Sequence, residues 1–378
     1  MKIFLLAGEE SGVLYAERIR AAVLERCPDA EIRGYGDYGF KVEDLAVMGV
    51  GQVLRKIFYF LRVKRTMERV IAEWRPDVVC TVDYPGMNLK LAAYAKSWSI
   101  RTVHVVCPQV WAWKKGRIPK IEAALDRLCC FFPFEPGLFR AGFAEFVGHP
   151  LADEFNSEAQ RIREGDEKIL AILPGSRIGE IEKHMPILLE VVRRLAVEDD
   201  YRRPRSEDAA GTVRTSLRIV IPAANEKAYR AITKAIGQSE QSNNSRILVQ
   251  HGGARELLRQ AEAAVVASGT ATLEAALAGC PTVLVYKVGW FFAFLARRFI
   301  KGVKHIGLAN IIAEKAGADC PMPELLQEDF TVENVLERLT PWLTDASENA
   351  KVRQNLAETM KLLQSDGDSI AKIARILI

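Results

Sequence analysis

Residues 263–284 read AAVVASGTATLEAALAGCPTVL, a segment that parses as strand, tight loop, helix and strand. Ala263–Ala267 is a short apolar run of the kind a buried parallel strand needs. Ser268-Gly269-Thr270 forms a turn cluster whose hydroxyls are placed to cap the helix that follows, and Gly279 and Pro281 end that helix in the usual order. Such a loop offers free backbone N–H groups at a helix N-terminus, a setting suited to phosphate. Glu274, one turn in, can accept hydrogen bonds from the vicinal hydroxyls of a sugar. Phosphate at the loop and ribose at the carboxylate together describe a nucleotide-sugar. The competing reading is an ordinary capped βαβ unit with a surface glutamate.

Working outward, apolar strand-like runs alternate with amphipathic helical stretches almost throughout. KIFLLA, PDVVCTV, RTVHVVC and RLCCFF occur in the first half, and KILAIL, LRIVIPA, RILVQ, AAVVA and PTVLVY in the second. This pattern predicts an α/β chain of two Rossmann-like domains facing across a cleft. The expected divisions are residues 1–165, residues 166–345 and a helical segment at 346–378. The boundary falls in the polar stretch 156–167. Residues 198–216, rich in Arg and Asp, read as a solvated loop.

The length of 378 residues fits two domains of ordinary size. A net charge of +4 is too mild to signal nucleic acid. MKIFLLAGEE reads as a first strand rather than a signal peptide, and no apolar run reaches transmembrane length. Seven scattered cysteines with no CxxC pair fit reduced, packed thiols in the cytosol, with no disulfide frame and no metal site.

Several loops carry chemistry. Gly8-Glu9-Glu10-Ser11-Gly12 follows the first strand; its two glutamates would repel phosphate, so neutral sugar hydroxyls suit it better. Asp83 ends PDVVCTV, and carboxyl ends of strands are where open α/β sheets bind ligands, so it is placed to act as a general base. A turn-stabilising aspartate is the alternative. Trp111 and Trp113, followed by Lys114 and Lys115, combine amphipathic rings with positive charge, which suits a phosphorylated lipid or sugar. A buried Trp beside a basic helix face is the plainer account. Ser176 and Arg177 follow KILAIL, where an arginine can bind phosphate oxygens in bidentate fashion. His104 alternates with apolar residues and reads as a core histidine. Two stretches, Val53–Arg65 with Phe58 and Phe60, and Val288–Lys304 with Trp290 and Phe291, set aromatic residues among basic ones. They are expected at an anionic membrane surface, with buried helices as the alternative.

Taken in order, AGEESG, DLAVMGV, DYPGMN, PQVWAWKKGRI, FFPFE, VGHPLAD, LPGSR, ASGTATLEAALAGCP and GLANIIA give a chain that resembles the lipid-A-disaccharide synthase family over nearly its whole length. The resemblance implies a GT-B fold and no cofactor. It implies transfer of a sugar from UDP-2,3-diacylglucosamine to 2,3-diacylglucosamine 1-phosphate, with inversion, a β-1,6 linkage and release of UDP. The family's base falls on Asp83 and its loop serine on Ser11. Its nucleotide-side residues fall on Arg177, Ser268, Gly269, Thr270, Glu274 and Asn310. A cytoplasmic enzyme peripherally bound to the anionic inner membrane, and a homodimer, with C-terminal helices that pack back or are exchanged between subunits, are likewise implied. Val13, Gly86 and Ala309 depart from the family pattern, the first two on the acceptor side. A UDP-sugar 2-epimerase and a non-catalytic, membrane-associated nucleotide-sugar binder are the competing functions.

Overall fold

The computed structural model describes residues 1–40, 50–157, 167–201, 217–242, 244–287 and 304–378. Twelve strands form two six-stranded sheets in which every pairing is parallel. The chain divides into two compact units: residues 1–154 with 363–378, and residues 155–362.

In the first unit the strands are β1 (Lys2–Ala7), β2 (Glu31–Arg33), β3 (Val78–Val82), β4 (Arg101–Val105), β5 (Arg127–Cys130) and β6 (Ala144–Phe146). Its helices are α1 (Glu10–Arg26), α2 (Val50–Trp74), α3 (Pro85–Ser97), α4 (Ile118–Ala124) and the start of α5 (Pro150–Ser157). The sheet order is β2-β1-β3-β4-β5-β6, so the direction of winding reverses between β1 and β3. Strand alternation divides the core into two layers. Ile3, Leu5 and Ala7 face one side, against Ile19 and Val23 of α1, whereas Phe4 and Leu6 face the other, against Val63, Met67 and Ile71 of α2.

The second unit holds β7 (Lys168–Leu173), α6 (Ile178–Tyr201), β8 (Leu217–Ala223), α7 (Glu226–Gly237), β9 (Ile247–His251), α8 (Ala254–Gln260), β10 (Ala263–Ala267), α9 (Thr270–Leu277), β11 (Thr282–Tyr286), α10 (Leu308–Ala316), β12 (Glu324–Leu326), α11 (Val332–Thr344) and α12 (Ala346–Lys361). Its order, β12-β11-β10-β7-β8-β9, reverses between β7 and β10. That is the arrangement of a dinucleotide-binding fold, with its ligand crevice at the reversal.

The stretch 346–378, set apart in the sequence as one helical segment, is helical, but its two helices belong to different units. α12 stays with the second. α13 (Ser369–Leu377) packs on the first, burying Ile370, Ile373, Ala374 and Leu377 at helical spacing against the layer under α1. Of the polar stretch 198–216, residues 198–201 continue α6 and the rest lie outside the described residues.

Candidate active site

Both candidate centres sit at the carboxyl end of a sheet, at the point where winding reverses. In the first unit, Gly8 and Glu9 follow β1 and Asp83 follows β3, two strands paired up to Ala7↔Val82. Asp83 and Tyr84 both hold left-handed backbone, at φ 51° and 50°. Such strain costs on the order of 1–3 kcal/mol per residue and needs support from its surroundings. Asn88 of α3 supplies it. Fully buried, its Nδ2 donates to the carbonyls of Leu6 (3.2 Å), Val82 (3.1 Å) and Asp83 (2.8 Å), while its Oδ1 accepts from Tyr35 Oη at 2.8 Å. One side chain thereby ties the ends of β1 and β3 to the turn.

The Tyr84 N–H donates to Asp83 Oδ1 at 2.8 Å, and among the described residues no cation pairs with this carboxylate. Desolvation holds the Asp83 pKa above the usual carboxylate value despite that hydrogen bond. Glu9 is raised as well, by desolvation and then by the charge of Asp83. Two carboxylates with raised affinity for protons thus stand at the adjacent ends of β1 and β3, an arrangement suited to accepting a proton. Asn88 stands in the DYPGMN motif, but its clasp could not be read there, because the strained turn it holds leaves no mark in composition.

In the second unit, a cavity of about 290 Å³ opens over the ends of β7 and β10. Gly175, Ser176 and Glu180 form one wall, and Ser268, Gly269, Thr270 and Glu274 another. The hydroxyls of Ser268 and Thr270 do not cap α9 as the sequence led one to expect. Gly269 is the N-cap residue and makes no side-chain cap bond. A helix leaves its first N–H groups without intrahelical partners, so the uncapped end of α9 still offers donors and a positive dipole end for an anion. Helix α9 does end as expected, with Gly279 at φ 63° and its N–H bonded to Ala276 O at 2.9 Å. Glu274 accepts from Arg255 Nη2 at 3.3 Å. Arg177 pairs with Glu180 at 3.2 Å, yet its side chain is 67% exposed and free to turn toward a ligand. Gly175, at φ 116°, lies over Glu180; a Cβ there would come within 2.7 Å of the Glu180 carboxylate.

Other expected site residues fall elsewhere. Asn310 is fully buried, with Nδ2 donating to Met322 O (2.7 Å) and Glu324 Oε1 (2.8 Å) and Oδ1 accepting from Met322 N (3.0 Å). Its side chain fastens α10 to the segment before β12 and does not line the cavity. Ser11 lies in the first turn of α1, its side chain outside the described part. Trp111, expected at an interface, is buried, its Nε1–H donating to Glu135 at 3.0 Å, so this ring cannot face a membrane. Trp113 is exposed, with the Lys114 ammonium 4.2 Å from its ring centroid. Phe60 is half-buried against the core layer of α2, whereas Phe58 on the same helix is 78% exposed. Trp290 and Phe291 lie outside the described residues. His104 is a core histidine, bonded to Thr81 Oγ1 at 2.7 Å.

All seven cysteines are free. Among the described residues, Cys107, Cys130 and Glu135 bring potential metal-ligand atoms within 4.8 Å of one another. The Glu135 oxygens already accept from Trp111 and from Phe132 N (3.1 Å), and burial pushes this acid up to about 8. Both oxygens of this raised acid are thus engaged within the core, beside the two buried thiols. No helix among the described residues is long and apolar enough to cross a membrane.

The model of the family described as lipid-A-disaccharide synthetase matches residues 3–375. The lipid-A-disaccharide synthase of Acidobacterium capsulatum is 32% identical, covering 99% of this chain and 95% of its own length. A putative UDP-N-acetylglucosamine 2-epimerase structure from Listeria monocytogenes superposes with TM-score 0.59 at 17% identity, covering 100% of this chain and 94% of that one. The spinosyn rhamnosyltransferase SpnG, complexed with thymidine diphosphate, superposes with TM-score 0.53 at 14% identity, covering 100% of both chains. Identities that low show a shared fold and nothing about chemistry. The fold is GT-B, two Rossmann-like units in one chain, and the full-length match in sequence settles the family: the chain belongs to the lipid-A-disaccharide synthases, glycosyltransferases of lipid A biosynthesis.

Proposed function

We propose that this glycosyltransferase moves a diacylglucosamine unit from UDP-2,3-diacylglucosamine to the 6-hydroxyl of 2,3-diacylglucosamine 1-phosphate. The acceptor oxygen forms a bond to the anomeric carbon as the bond to UDP breaks, which inverts the centre. The acceptor proton goes to Asp83. A primary hydroxyl is a poor nucleophile at neutral pH, and a positioned base removes that barrier. Charge developing on departing UDP is met by the N-terminus of α9 and by Arg177 turned away from Glu180, while Glu274, oriented by Arg255, accepts from the ribose hydroxyls. Ser11 would stand beside the acceptor.

The observation that carries this reading is the Asp83 carboxyl: at a strand end, without a cation among the described residues, raised in pKa and held on strained backbone. Asp83→Asn should lower turnover about 10²–10⁴-fold, with UDP binding unchanged by calorimetry. Turnover within threefold of wild type in a folded variant would remove Asp83 from the mechanism.

We further propose peripheral attachment to an anionic membrane in the cytoplasm, and a homodimer. Support for attachment comes from α2, where Phe58, Leu61, Arg62, Arg65 and Arg69 share one exposed face while Val63, Met67 and Val70 are buried on the other.

A further inference from the structure

His184 of α6 is fully buried, yet both ring nitrogens are engaged. Nδ1 lies 2.7 Å from Pro174 O, and Nε2 lies 3.0 Å from the backbone nitrogen of Lys287. A carbonyl can only accept and a backbone N–H can only donate. The ring is therefore the neutral tautomer with its hydrogen on Nδ1.

These two contacts join segments that are not neighbours in the sheet. Pro174 follows β7 and Lys287 follows β11, with β10 lying between them. Pro174 leads directly into Gly175 and Ser176, one wall of the cavity. The end of β11 holds the other wall, because Ser268 N–H donates to Val285 O at 3.2 Å. The path Ser176–Pro174–His184–Lys287–Val285–Ser268 thus links the two walls. The His184 ring is fixed laterally by Phe330 (centroids 5.6 Å apart) and Tyr286 (6.1 Å).

We propose that His184 is a positioning residue of the donor site, a neutral clasp that sets the spacing between the Gly175–Ser176 wall and the Ser268–Thr270 wall and so governs affinity for the nucleotide-sugar. The inference rests on the donor reading of that cavity. It also makes affinity sensitive to acid. A protonated ring would present a second N–H to the Lys287 N–H, and that half of the clasp would open. Burial lowers the His184 pKa, and the Lys287 N–H donating into Nε2 also favours the neutral ring; the bond to Pro174 and the charge of Glu180 oppose this, and Lys183 lowers it further. The facing charged and titratable groups are thus Glu180 and Lys183 on α6 and Tyr286 on β11. Neutral His184 prevails at pH 7, and the clasp opens only as pH falls through the lowered value, on the acid side of the ordinary histidine range.

The test uses the full chain, UDP-N-acetylglucosamine as probe and two variants. The probe does not titrate between pH 5 and 8. Glutamine can offer an amide N–H to Pro174 and an amide oxygen to Lys287 without titrating. His184→Gln should keep affinity at pH 7.5 within about threefold and lose the wild type's weakening at acid pH. His184→Leu leaves both partners unpaired and should bind about 5- to 100-fold more weakly. Hydrogen exchange should show the Lys287 amide deprotected in His184→Leu and protected in His184→Gln. Equal affinity and equal pH profiles in all three proteins would overturn the proposal. If the wild type binds no UDP-sugar at any pH while Lys287 protection still depends on residue 184, the donor reading fails and the clasp stands.

Discussion

At Asp83 and Tyr84 the backbone turns left-handed twice in succession without a glycine, and Asn88 holds it there. The Tyr84 side chain lies so close to Gly8 that a Cβ on residue 8 would come within 2.4–2.6 Å of three of its carbons. Gly8→Ala should therefore cost about 1–3 kcal/mol by urea unfolding and, by displacing Tyr84, disturb Asp83 and lower turnover. Gly86→Ala, where nothing lies within 4 Å of the new carbon, should stay within about 0.5 kcal/mol of wild type. Equal stability of the two variants would contradict the packing described. Much at this scale was legible in sequence: Asp83 at a strand end, and the Ser176, Ser268–Thr270 and Glu274 set that lines one cavity. What stayed hidden depends on three-dimensional closure. Asn88 reaches across two strands, His184 reaches past β10, and the burial of Trp111 by Glu135 turned an expected interface ring into core.

Among the elements, long apolar runs announced themselves, and β1, β3, β4, β5, β7, β8, β9, β10 and β11 all fall on runs quoted from the sequence. The strands β2, β6 and β12 did not, since three residues carry no measurable alternation. Helix α2 shows how a mixed pattern resolves. The aromatic and basic residues of 53–65 suggested a surface, and its apolar positions a core, and the helix provides both on opposite faces. Phe58 and Leu61, 78% and 42% exposed, share their face with Arg62, Arg65 and Arg69, for which no ion pair occurs among the described residues. Lys64, on another face, pairs with Glu68. Each basic residue near an anionic bilayer contributes about 1 kcal/mol, screened by salt. Replacing the three arginines with Gln should abolish sedimentation with phosphatidylglycerol vesicles at low salt, and Phe58→Ser with Leu61→Ser should weaken it at every salt concentration. Undiminished sedimentation of both folded variants would refute a membrane role for this face.

For the whole molecule, buried titratable groups set a pH window. Burial pushes His104 down to about 3 and His149 to about 4, and lowers His184. All three are neutral in the fold and take up protons on unfolding below their ordinary value of about 6.5, so stability falls as pH drops from there toward the lowered values. Glu135 acts in the opposite sense. Raised from 4.5 to about 8, it is protonated in the fold and releases its proton on unfolding, so its contribution fades as pH rises through that interval. On the acid side the three histidines outweigh Glu135 together with the less strongly raised Asp83 and Glu9, and above about 6.5 the acids act without them. The urea midpoint should therefore peak near pH 6.5; a midpoint that climbs steadily from pH 6.5 to 4.5 would contradict these burials. The two-unit α/β organisation was legible from alternating runs; for the C-terminal helices, packing back and exchange between subunits were both expected, because an amphipathic helix does not say which surface it covers, and α13 returns to the first unit. The central claim is the transfer itself. Incubation with UDP-2,3-diacylglucosamine and 2,3-diacylglucosamine 1-phosphate, followed by mass spectrometry and by NMR of the anomeric coupling, should show one β-linked disaccharide 1-phosphate for each UDP released. Release of UDP with free diacylglucosamine, an α-linked product, or a donor epimerised at C2 and otherwise intact would contradict it.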